Sequence, residues 1–143
     1  GIAPRFARLL GLGCGEGHQS VHLAQLADCL FALDVSGQAV ARARRRCPIG
    51  CFETGRIEDV GTLFPGMHFD LVTACEVLYY ATDIPGMLTE LQARTERLYV
   101  SNYKLRAEAM RTHFVGPGWT ALPSIRHLDS VWECRLWQRP QTG

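Results

Sequence analysis

A glycine-rich stretch near the start of the chain carries the clearest chemical signal. Glycine stands at every second position from Gly11 to Gly17, directly after an apolar run. Glycine allows a sharp turn and a close approach of the backbone to a ligand, which a Cβ atom would block. In α/β proteins such a loop joins a strand to the next helix and binds a cofactor there. The stretch therefore predicts a ligand-binding loop rather than a plain connector.

The spacing of these glycines narrows the choice of ligand. The dinucleotide fingerprint is G-x-G-x-x-G. Counted from Gly11, its last glycine falls on Glu16, and counted from Gly13 it falls on His18. Both frames fail, which disfavours a nicotinamide-dependent oxidoreductase. The pattern favours a flatter turn and a ligand without a pyrophosphate group.

A carboxylate stands where such a ligand would need one. Asp34 ends the second apolar run, 21 positions after Gly13. A carboxylate at that point can accept hydrogen bonds from both hydroxyls of a ribose. The alternative is that Asp34 only caps or turns the chain. Because the loop and the carboxylate occur together at the expected separation, we favour ribose binding.

Strand-like apolar runs alternate with helix-periodic segments along the chain, which is typical of a parallel α/β sheet with helices on both faces. The predicted strands are 6–12, 29–34, 51–54, 69–75, 97–102, 120–127 and 131–139. We expect the last two to form an antiparallel pair at one edge of the sheet. The glycine loop and Asp34 would then lie at the carboxyl ends of the first two strands, where such folds bind ligands.

The predicted helices connect these strands. They cover about 17–27, a segment that begins after Ser36 and stops at Pro48, a segment that begins after Asp83, and about 104–114. Ser36 and Asp83 are residue types that cap helix N-termini. Pro48 cannot continue a helix.

Three segments together resemble the class I methyltransferases that use S-adenosylmethionine. They are Gly13-Cys14-Gly15-Glu16-Gly17, Asp34-Val35-Ser36, and the stretch from Phe69 to Tyr80. The run Glu76-Val77-Leu78-Tyr79-Tyr80, followed by Asp83, is most similar to the nodulation protein S group, which methylates an amine on a chito-oligosaccharide. The resemblance implies one Rossmann-like domain over 1–143. Its sheet would be mostly parallel and seven-stranded, with a C-terminal antiparallel edge hairpin and helices on both faces.

The resemblance also implies which residues bind the cofactor S-adenosylmethionine. They are Gly13, Cys14, Gly15, Gly17, Asp34, Val35, Ile57, Glu58 and Cys75. The glycine loop would lie under the methionine part, and Asp34 would hold the ribose. Val35 and Ile57 would enclose the adenine, with Glu58 or Asp59 at its rim. The backbone at Cys75 would face the amino group of the cofactor, and no metal is implied.

Two positions depart from the family pattern. An acidic residue usually stands where this chain has Gly11, and an adenine-contacting Asp usually stands where it has Arg56. Family members also usually carry a helix before the first strand, and this sequence begins almost directly at that strand. These departures motivate a second interpretation, a degenerate methyltransferase-like domain with a structural or protein-interaction role. They also allow a contact with a preceding segment or another domain.

Methyl transfer from a sulfonium is an in-line displacement, so the protein mainly supplies proximity and alignment. An amine acceptor must be neutral to react, and a nearby carboxylate, histidine or tyrosine could take its proton. The predicted catalytic residues are Glu76, Tyr79 and Tyr80, with Tyr103 and His18 as further candidates. Tyrosine rings could also hold a cationic amine. The alternative for the adjacent tyrosines is packing at the start of a loop.

Charge and composition exclude several classes of partner. The chain has 15 Lys and Arg against 14 Asp and Glu, a net charge of +1. This balance excludes a strongly basic nucleic-acid domain and an acidic disordered tail. We find no long apolar run and no secretory signal, and therefore predict a cytoplasmic protein that does not bind membranes. The expected acceptor is a small molecule or a saccharide, with transfer to nitrogen favoured over oxygen.

Cysteine spacing offers a weaker hypothesis. Cys47 and Cys51 have a spacing that metal sites use, but a tetrahedral zinc site needs three or four ligands and no second pair follows. We therefore expect both to be small buried side chains, and we expect no disulfides. The arginines at 42 and 44–46 are predicted to form a solvated helix face near the carbonyl end of the second helix.

Overall fold

The computed structural model describes residues 5–13 and 17–141, with the side chain of His18 also left undescribed. The strands are β1 (Phe6–Leu12), β2 (Ala27–Asp34), β3 (Cys51–Thr54), β4 (Leu71–Cys75), β5 (Arg97–Tyr103), β6 (Trp119–His127) and β7 (Ser130–Gln138). In the described part of the chain they form one seven-stranded sheet in the order β3-β2-β1-β4-β5-β7-β6. The strands from β3 to β5 are parallel, while β7 runs antiparallel to both β5 and β6. The expected fold class is confirmed, including the antiparallel hairpin at the edge.

The helices are α1 (His18–Ala24), α2 (Gly37–Arg46), α3 (Val60–Leu63), α4 (Ile84–Ala93) and α5 (Lys104–Met110). Single 3₁₀ turns cover Ile57–Asp59, Leu78–Tyr80 and Arg111–His113. Ser36 Oγ accepts a hydrogen bond from Ala39 N at 3.1 Å, and Asp83 Oδ1 accepts one from Gly86 N at 3.1 Å. Both predicted N-caps are confirmed. Among the described residues, every helix is too short or too polar to cross a lipid bilayer.

Each face of the sheet has its own apolar core, as expected for parallel strands covered on both sides. On one face, Leu10 and Val72 pack with Leu91 of α4 and Met110 of α5. On the other, Leu9 packs with Ala24 at the end of α1 and with Val40 and Ala43 of α2. Successive residues of β1 therefore serve opposite cores, because side chains alternate along a strand. This explains why β1 is apolar without interruption from Leu9 to Leu12 apart from Gly11.

The first helix is shorter than the sequence predicted. We expected it to reach residue 27, but α1 ends at Ala24 and β2 begins at Ala27. Ala27 is paired with Phe6 in the parallel ladder, and Phe6 N donates to Leu26 O at 2.8 Å. Strand pairing with β1 thus overrides the helical periodicity of the segment.

The fourth strand also begins later than predicted, at Leu71 rather than Phe69. Phe69 forms only an isolated parallel bridge with Thr95, so the regular ladder starts at Leu71. Between them, Asp70 Oδ2 accepts hydrogen bonds from Ala7 N at 2.7 Å and Arg8 N at 3.0 Å, and Asp70 N donates to Arg8 O at 2.9 Å. The helical turns at 57–63 were not predicted at all.

Candidate functional site

A cavity of about 410 Å³ opens at the carboxyl ends of β1 and β2 and beside the turn after β3. The chain reverses its direction of travel across the sheet between β1 and β4, which is where open α/β sheets bind ligands. The cavity is lined by Gly13, Leu33, Asp34, Val35, Gly55, Arg56, Ile57, Glu58, Val77 and Tyr80. Six residues proposed from sequence for a site, five for the cofactor and Tyr80, therefore line one cavity.

Gly13 shows why the loop needs glycine. Its φ is +77°, a left-handed conformation that side chains disfavour, and its N donates to Leu33 O at 2.9 Å. A Cβ atom on Gly13 would also collide with Val77 Cγ1 and would lie 3.9 Å from the carbonyl oxygen of Cys75. The backbone at Gly13 therefore passes close to the end of β4, and the Cys75 carbonyl lies beside it.

Asp34 lies at the cavity wall with its carboxylate held in place. Its Oδ1 accepts a hydrogen bond from Ser36 N at 3.0 Å, and its backbone oxygen accepts one from Gly55 N at 2.9 Å. The turn-forming role that the sequence left as the alternative is thus present. It does not exclude ligand binding, since one carboxylate accepts several hydrogen bonds at once.

The wall beyond Asp34 combines apolar and charged side chains. Val35 is 70% exposed and Ile57 is 8% exposed, so an exposed and a buried aliphatic side chain contribute to the same cavity. Arg56 Nε lies 3.3 Å from Glu58 Oε2, and Asp59 Oδ2 accepts from Arg56 N at 2.9 Å. Arg56, the departure from the family pattern, is therefore part of the cavity wall and paired with an acidic neighbour.

The remaining described residues that were predicted to bind the cofactor, Gly17 and Cys75, do not line this cavity. Gly17 has φ +92°, and a Cβ there would come within 2.8 Å of Ala43 Cα, so this glycine allows α1 to pack closely on α2. The Cys75 thiol accepts a hydrogen bond from Gln19 Nε2 at 3.4 Å, so only its backbone lies beside the loop. Cys14 and Gly15 lie outside the described residues.

Gly11 is a buried residue of β1, and its neighbours leave room only for a small side chain. A Cβ there would lie 3.4 Å from Leu23 Cδ1 and 3.6 Å from Thr73 Oγ1. A methyl group would fit, but a carboxylate would have to displace Leu23. The packing of α1 on β1 in this chain is therefore built around the glycine.

The predicted catalytic residues surround the end of β4. Glu76 has φ +60°, a strained conformation for a residue with a Cβ atom, and its N donates to Ser101 O at 2.9 Å. The Tyr79 hydroxyl donates to Glu76 Oε2 at 2.8 Å. Burial, followed by this hydrogen bond, raises the pKa of the Tyr79 phenol. Tyr79 therefore remains protonated near neutral pH and positions Glu76; a role as a proton acceptor is disfavoured.

The two tyrosine rings differ in what they can contact. Arg106 Cζ lies 5.1 Å from the centroid of the Tyr79 ring, so a cation already lies over that ring. The Tyr80 ring centroid is 4.6 Å from that of Tyr79, and Tyr80 is 71% exposed at the cavity. Tyr103 packs on Trp132 with centroids 5.9 Å apart. Of the three rings, Tyr80 is the one that both lines the cavity and is open to solvent.

Metal and thiol chemistry find little support in the described part of the chain. No cluster of three or more His, Cys, Asp or Glu residues there is arranged to hold a metal ion. The described cysteines are all free thiols. Cys47 is buried as expected, but the expectation was wrong for Cys51, which is exposed because it begins the edge strand β3.

Sequence reasoning missed Val77 and Asn102. Val77 fills the space that a Cβ on Gly13 would need, and no pattern in the sequence could have indicated that contact. Asn102 is a polar residue that is only 2% exposed near the end of β5, an interior strand of the sheet. An amide within an apolar strand is a signal that could have been noticed.

Comparison with known proteins identifies a methyltransferase family and two methyltransferase-related relatives among the matches. Residues 9–97 match the family described as "Methyltransferase domain". Nodulation protein S of Sinorhizobium fredii (strain NBRC 101917 / NGR234) is 29% identical over 101 residues, which is 71% of this chain and 47% of the relative. Magnesium-protoporphyrin O-methyltransferase of Rhodobacter capsulatus is 35% identical in an alignment of 101 positions that covers 65% of this chain and 43% of the relative. The chain thus spans less than half the length of either.

Solved structures share the fold at lower identity. The N-methyltransferase NodS from Bradyrhizobium japonicum WM9 aligns with a TM-score of 0.74 and 19% identity, over 97% of this chain and 89% of that one. A structure of the same protein in complex with S-adenosyl-l-homocysteine aligns with a TM-score of 0.73 and 18% identity, over 95% and 80% of the two chains.

Proposed function

The chain belongs to the methyltransferase domain family, and on that basis we propose that it uses S-adenosylmethionine to methylate the amine nitrogen of a small molecule or saccharide. The relatives it matches include both an N-methyltransferase and an O-methyltransferase. The proposal treats residues 1–143 as one domain in the cytoplasm. Both of those points remain predictions.

The observation that carries the proposal is the cavity shared by Gly13, Asp34, Val35 and Ile57. It combines a backbone cradle that a Cβ would fill, a carboxylate, and aliphatic walls. In the proposal the backbone at Gly13 and the Cys75 carbonyl bind the methionine part, and Asp34 binds the ribose. Val35 and Ile57 enclose the adenine, with Glu58 at the rim.

When bound, S-adenosylmethionine supplies a methyl group on a sulfonium, which is already a good leaving centre. The chain's own residues then have to orient an acceptor and take up one proton. Glu76 is the proposed proton acceptor, since its carboxylate lies at the end of β4 and is oriented by the Tyr79 hydroxyl. Tyr80 covers the mouth of the cavity and contacts the acceptor. An amine fits this arrangement better than a hydroxyl because a neutral amine attacks through its lone pair without first losing a proton, whereas a hydroxyl needs a stronger base than a carboxylate.

Binding of S-adenosylhomocysteine and S-adenosylmethionine, measured by calorimetry with thermal unfolding beside it, tests the proposal. A ligand at 100 times its dissociation constant stabilises a fold by about 2.7 kcal/mol, which is a readily measured shift in Tm. NAD serves as the control ligand and should not bind. Methyl transfer from labelled cofactor to panels of amines and of hydroxyl compounds then separates N- from O-methylation.

A second candidate is favoured by a specific observation. Leu23 occupies the space beside Gly11 where the family usually has an acidic side chain, and Arg56 stands in place of the usual Asp. A domain that had lost cofactor binding would carry such changes and would serve as a structural or interaction module. Failure of both cofactor forms to bind would favour this candidate over the enzyme.

A further inference from the structure

Two buried oxygen atoms at the carboxyl ends of β4 and β5 have no hydrogen-bond partner among the described residues. They are Oε1 of Glu76 and Oδ1 of Asn102. Buried polar atoms are nearly always hydrogen-bonded, so each exception needs an explanation. A third such atom, Arg94 Nε, lies just before β5 begins, and therefore at the amino ends of the parallel strands, opposite the proposed site.

Glu76 and Asn102 occupy neighbouring positions at the carboxyl edge of the sheet. Cys75 pairs with Ser101 in the ladder between β4 and β5, and Glu76 N donates to Ser101 O at 2.9 Å. Asn102 is the next residue of β5. Because side chains alternate along a strand, Asn102 lies on the same face as Val100, which is the face that carries Leu78 and Ala74.

The chemistry of the two atoms indicates what would satisfy them. Both are acceptors, so they need N–H or O–H donors. The Tyr79 hydroxyl has one hydrogen, which it already donates to the other oxygen of Glu76. A hydroxyl group on an acceptor molecule could satisfy only one of the two oxygens. A neutral primary amine has two N–H groups and could satisfy both, while its lone pair stays available for reaction.

We propose that Asn102 binds the acceptor together with Glu76, and that the pair selects a primary amine and limits transfer to one methyl group. This inference rests on the proposed function. The amine lone pair forms the new N–C bond as the C–S bond breaks, and the bonding electrons leave with sulfur. The product ammonium then releases one proton to Glu76. The neutral secondary amine has one N–H left, so it satisfies only one oxygen and is held less tightly.

Access to the two atoms requires a local movement. Both oxygens are buried, and in the proposal the amine reaches them beneath the turn Leu78–Tyr80 that follows Glu76. Tyr80 on that turn is 71% exposed, whereas Leu78 is fully buried. The exposed end of the turn would move aside to admit the amine and would then return to cover it.

The test compares amines on the full chain saturated with S-adenosylhomocysteine. The probes are glucosamine, its N-methyl derivative and tetramethylammonium, with affinities measured by calorimetry at a pH above the pKa of both amines, so that each of the two is neutral. We expect glucosamine to bind about tenfold more tightly than the secondary amine, as one hydrogen bond predicts, and tetramethylammonium not to bind. Asn102→Leu should weaken glucosamine binding about tenfold and remove the preference, without lowering Tm, because it removes an unsatisfied buried acceptor.

Two further variants make the result specific. Arg94→Met removes the unsatisfied atom at the opposite edge and should leave glucosamine affinity unchanged. Asn102→Asp retains an acceptor and should keep the preference for the primary amine, so it serves if the Leu variant fails to fold. Unchanged glucosamine affinity in Asn102→Leu, or no binding of glucosamine to the wild type, would overturn the inference. Failure of S-adenosylhomocysteine itself to bind would instead count against the proposed function.

Discussion

The carboxyl edge of the sheet has two halves that are built in different ways. Around β1 and β2, the main chain determines the geometry of the site. Gly13 has a positive φ, and the carboxylate of Asp34 is held by the backbone amide of Ser36 two residues later. Around β4 and β5, side chains determine the geometry. The hydroxyl of Tyr79, three residues along the chain, orients Glu76, and the Tyr79 ring lies under Arg106 of the distant helix α5. The first half is local and backbone-built, and the second is assembled by packing.

This difference has a functional consequence. A backbone-built site keeps its geometry when surface side chains vary, which suits a cofactor common to a whole family. A site assembled from side chains changes with single substitutions, which suits acceptors that differ between relatives. The two halves should therefore respond differently to mutation, and the following experiments test that separation in order of expected effect.

Asp34→Ala should have the largest effect on the first half. The loss of charge-assisted hydrogen bonds to the ribose should weaken S-adenosylhomocysteine binding at least about 100-fold, or roughly 3 kcal/mol, by calorimetry. Asp28→Ala is a matched control because Asp28 lies on the same strand and pairs with Arg5 at 2.7 Å, away from the cavity. Equal affinity in the two variants would remove Asp34 from the cofactor site.

Glu76→Gln should have the largest effect on the second half. The amide keeps the shape of the side chain but cannot take a proton, so kcat should fall about 100-fold. The dissociation constant of S-adenosylhomocysteine should stay within error of the wild type. A parallel loss of cofactor affinity would contradict the separation of the two halves.

Gly13→Ala probes how strictly the backbone-built half is constrained. The positive φ and the collision with Val77 should together destabilise the protein by about 2 kcal/mol in urea unfolding. Gly66→Ala is the matched control, since Gly66 has φ +68° but nothing within 4 Å of the added Cβ. The difference between the two isolates the crowding, and Val77→Ala in the Gly13→Ala background should recover part of it. A Gly13→Ala cost no larger than that of Gly66→Ala would show that crowding is unimportant.

Tyr79→Phe should have a smaller effect confined to the second half. Removing the hydroxyl leaves Glu76 less well oriented, so kcat should fall about five- to tenfold, or roughly 1 kcal/mol. Cofactor affinity should not change. If neither quantity moves, the packing interpretation of the tyrosine pair is correct.

Acid should slightly lower the stability of the second half, where Arg111 pairs with Glu133. The hydrogen bond from Arg111 lowers the pKa of the Glu133 carboxyl, so its contribution to stability is present above the unfolded-state pKa and is lost as pH falls through the folded-state pKa. The pair joins the 3₁₀ turn after α5 to β7 and should contribute less than about 1 kcal/mol. Glu133→Gln should flatten the fall in Tm on acidification below the normal range of a Glu pKa. An unchanged profile would assign the acid sensitivity to other groups.

The fold was predictable because its signals are local. The bounds of β1 and β3 were predicted correctly, and Ser36 and Asp83 were correctly predicted to cap helices. The end of α1 was wrong because the pairing of Ala27 with Phe6 is a contact across 21 residues that periodicity does not report. The start of β4 was wrong because Phe69 makes only an isolated bridge to Thr95, which the apolar pattern does not indicate.

The parts of the site that depend on the backbone were easier to predict from the sequence than the parts that depend on side-chain packing. Gly13 and Asp34 follow from motif spacing, and the structure brings them to one cavity. That Gly17 serves helix packing, and that Glu76 and Asn102 are neighbours, follows from tertiary contacts alone. Sequence spacing carries no information on those contacts.

The position of β7 has a consequence for how the protein is made. The strand pairs with β5 between residues as distant as Leu98 and Trp137, although β1 to β5 can pair among themselves earlier. During synthesis on the ribosome, β5 would present an open edge with unpaired amide and carbonyl groups until β7 emerges. A chain released before Ser130 should therefore self-associate, and the rate of translation through the last strand would govern the yield of native protein.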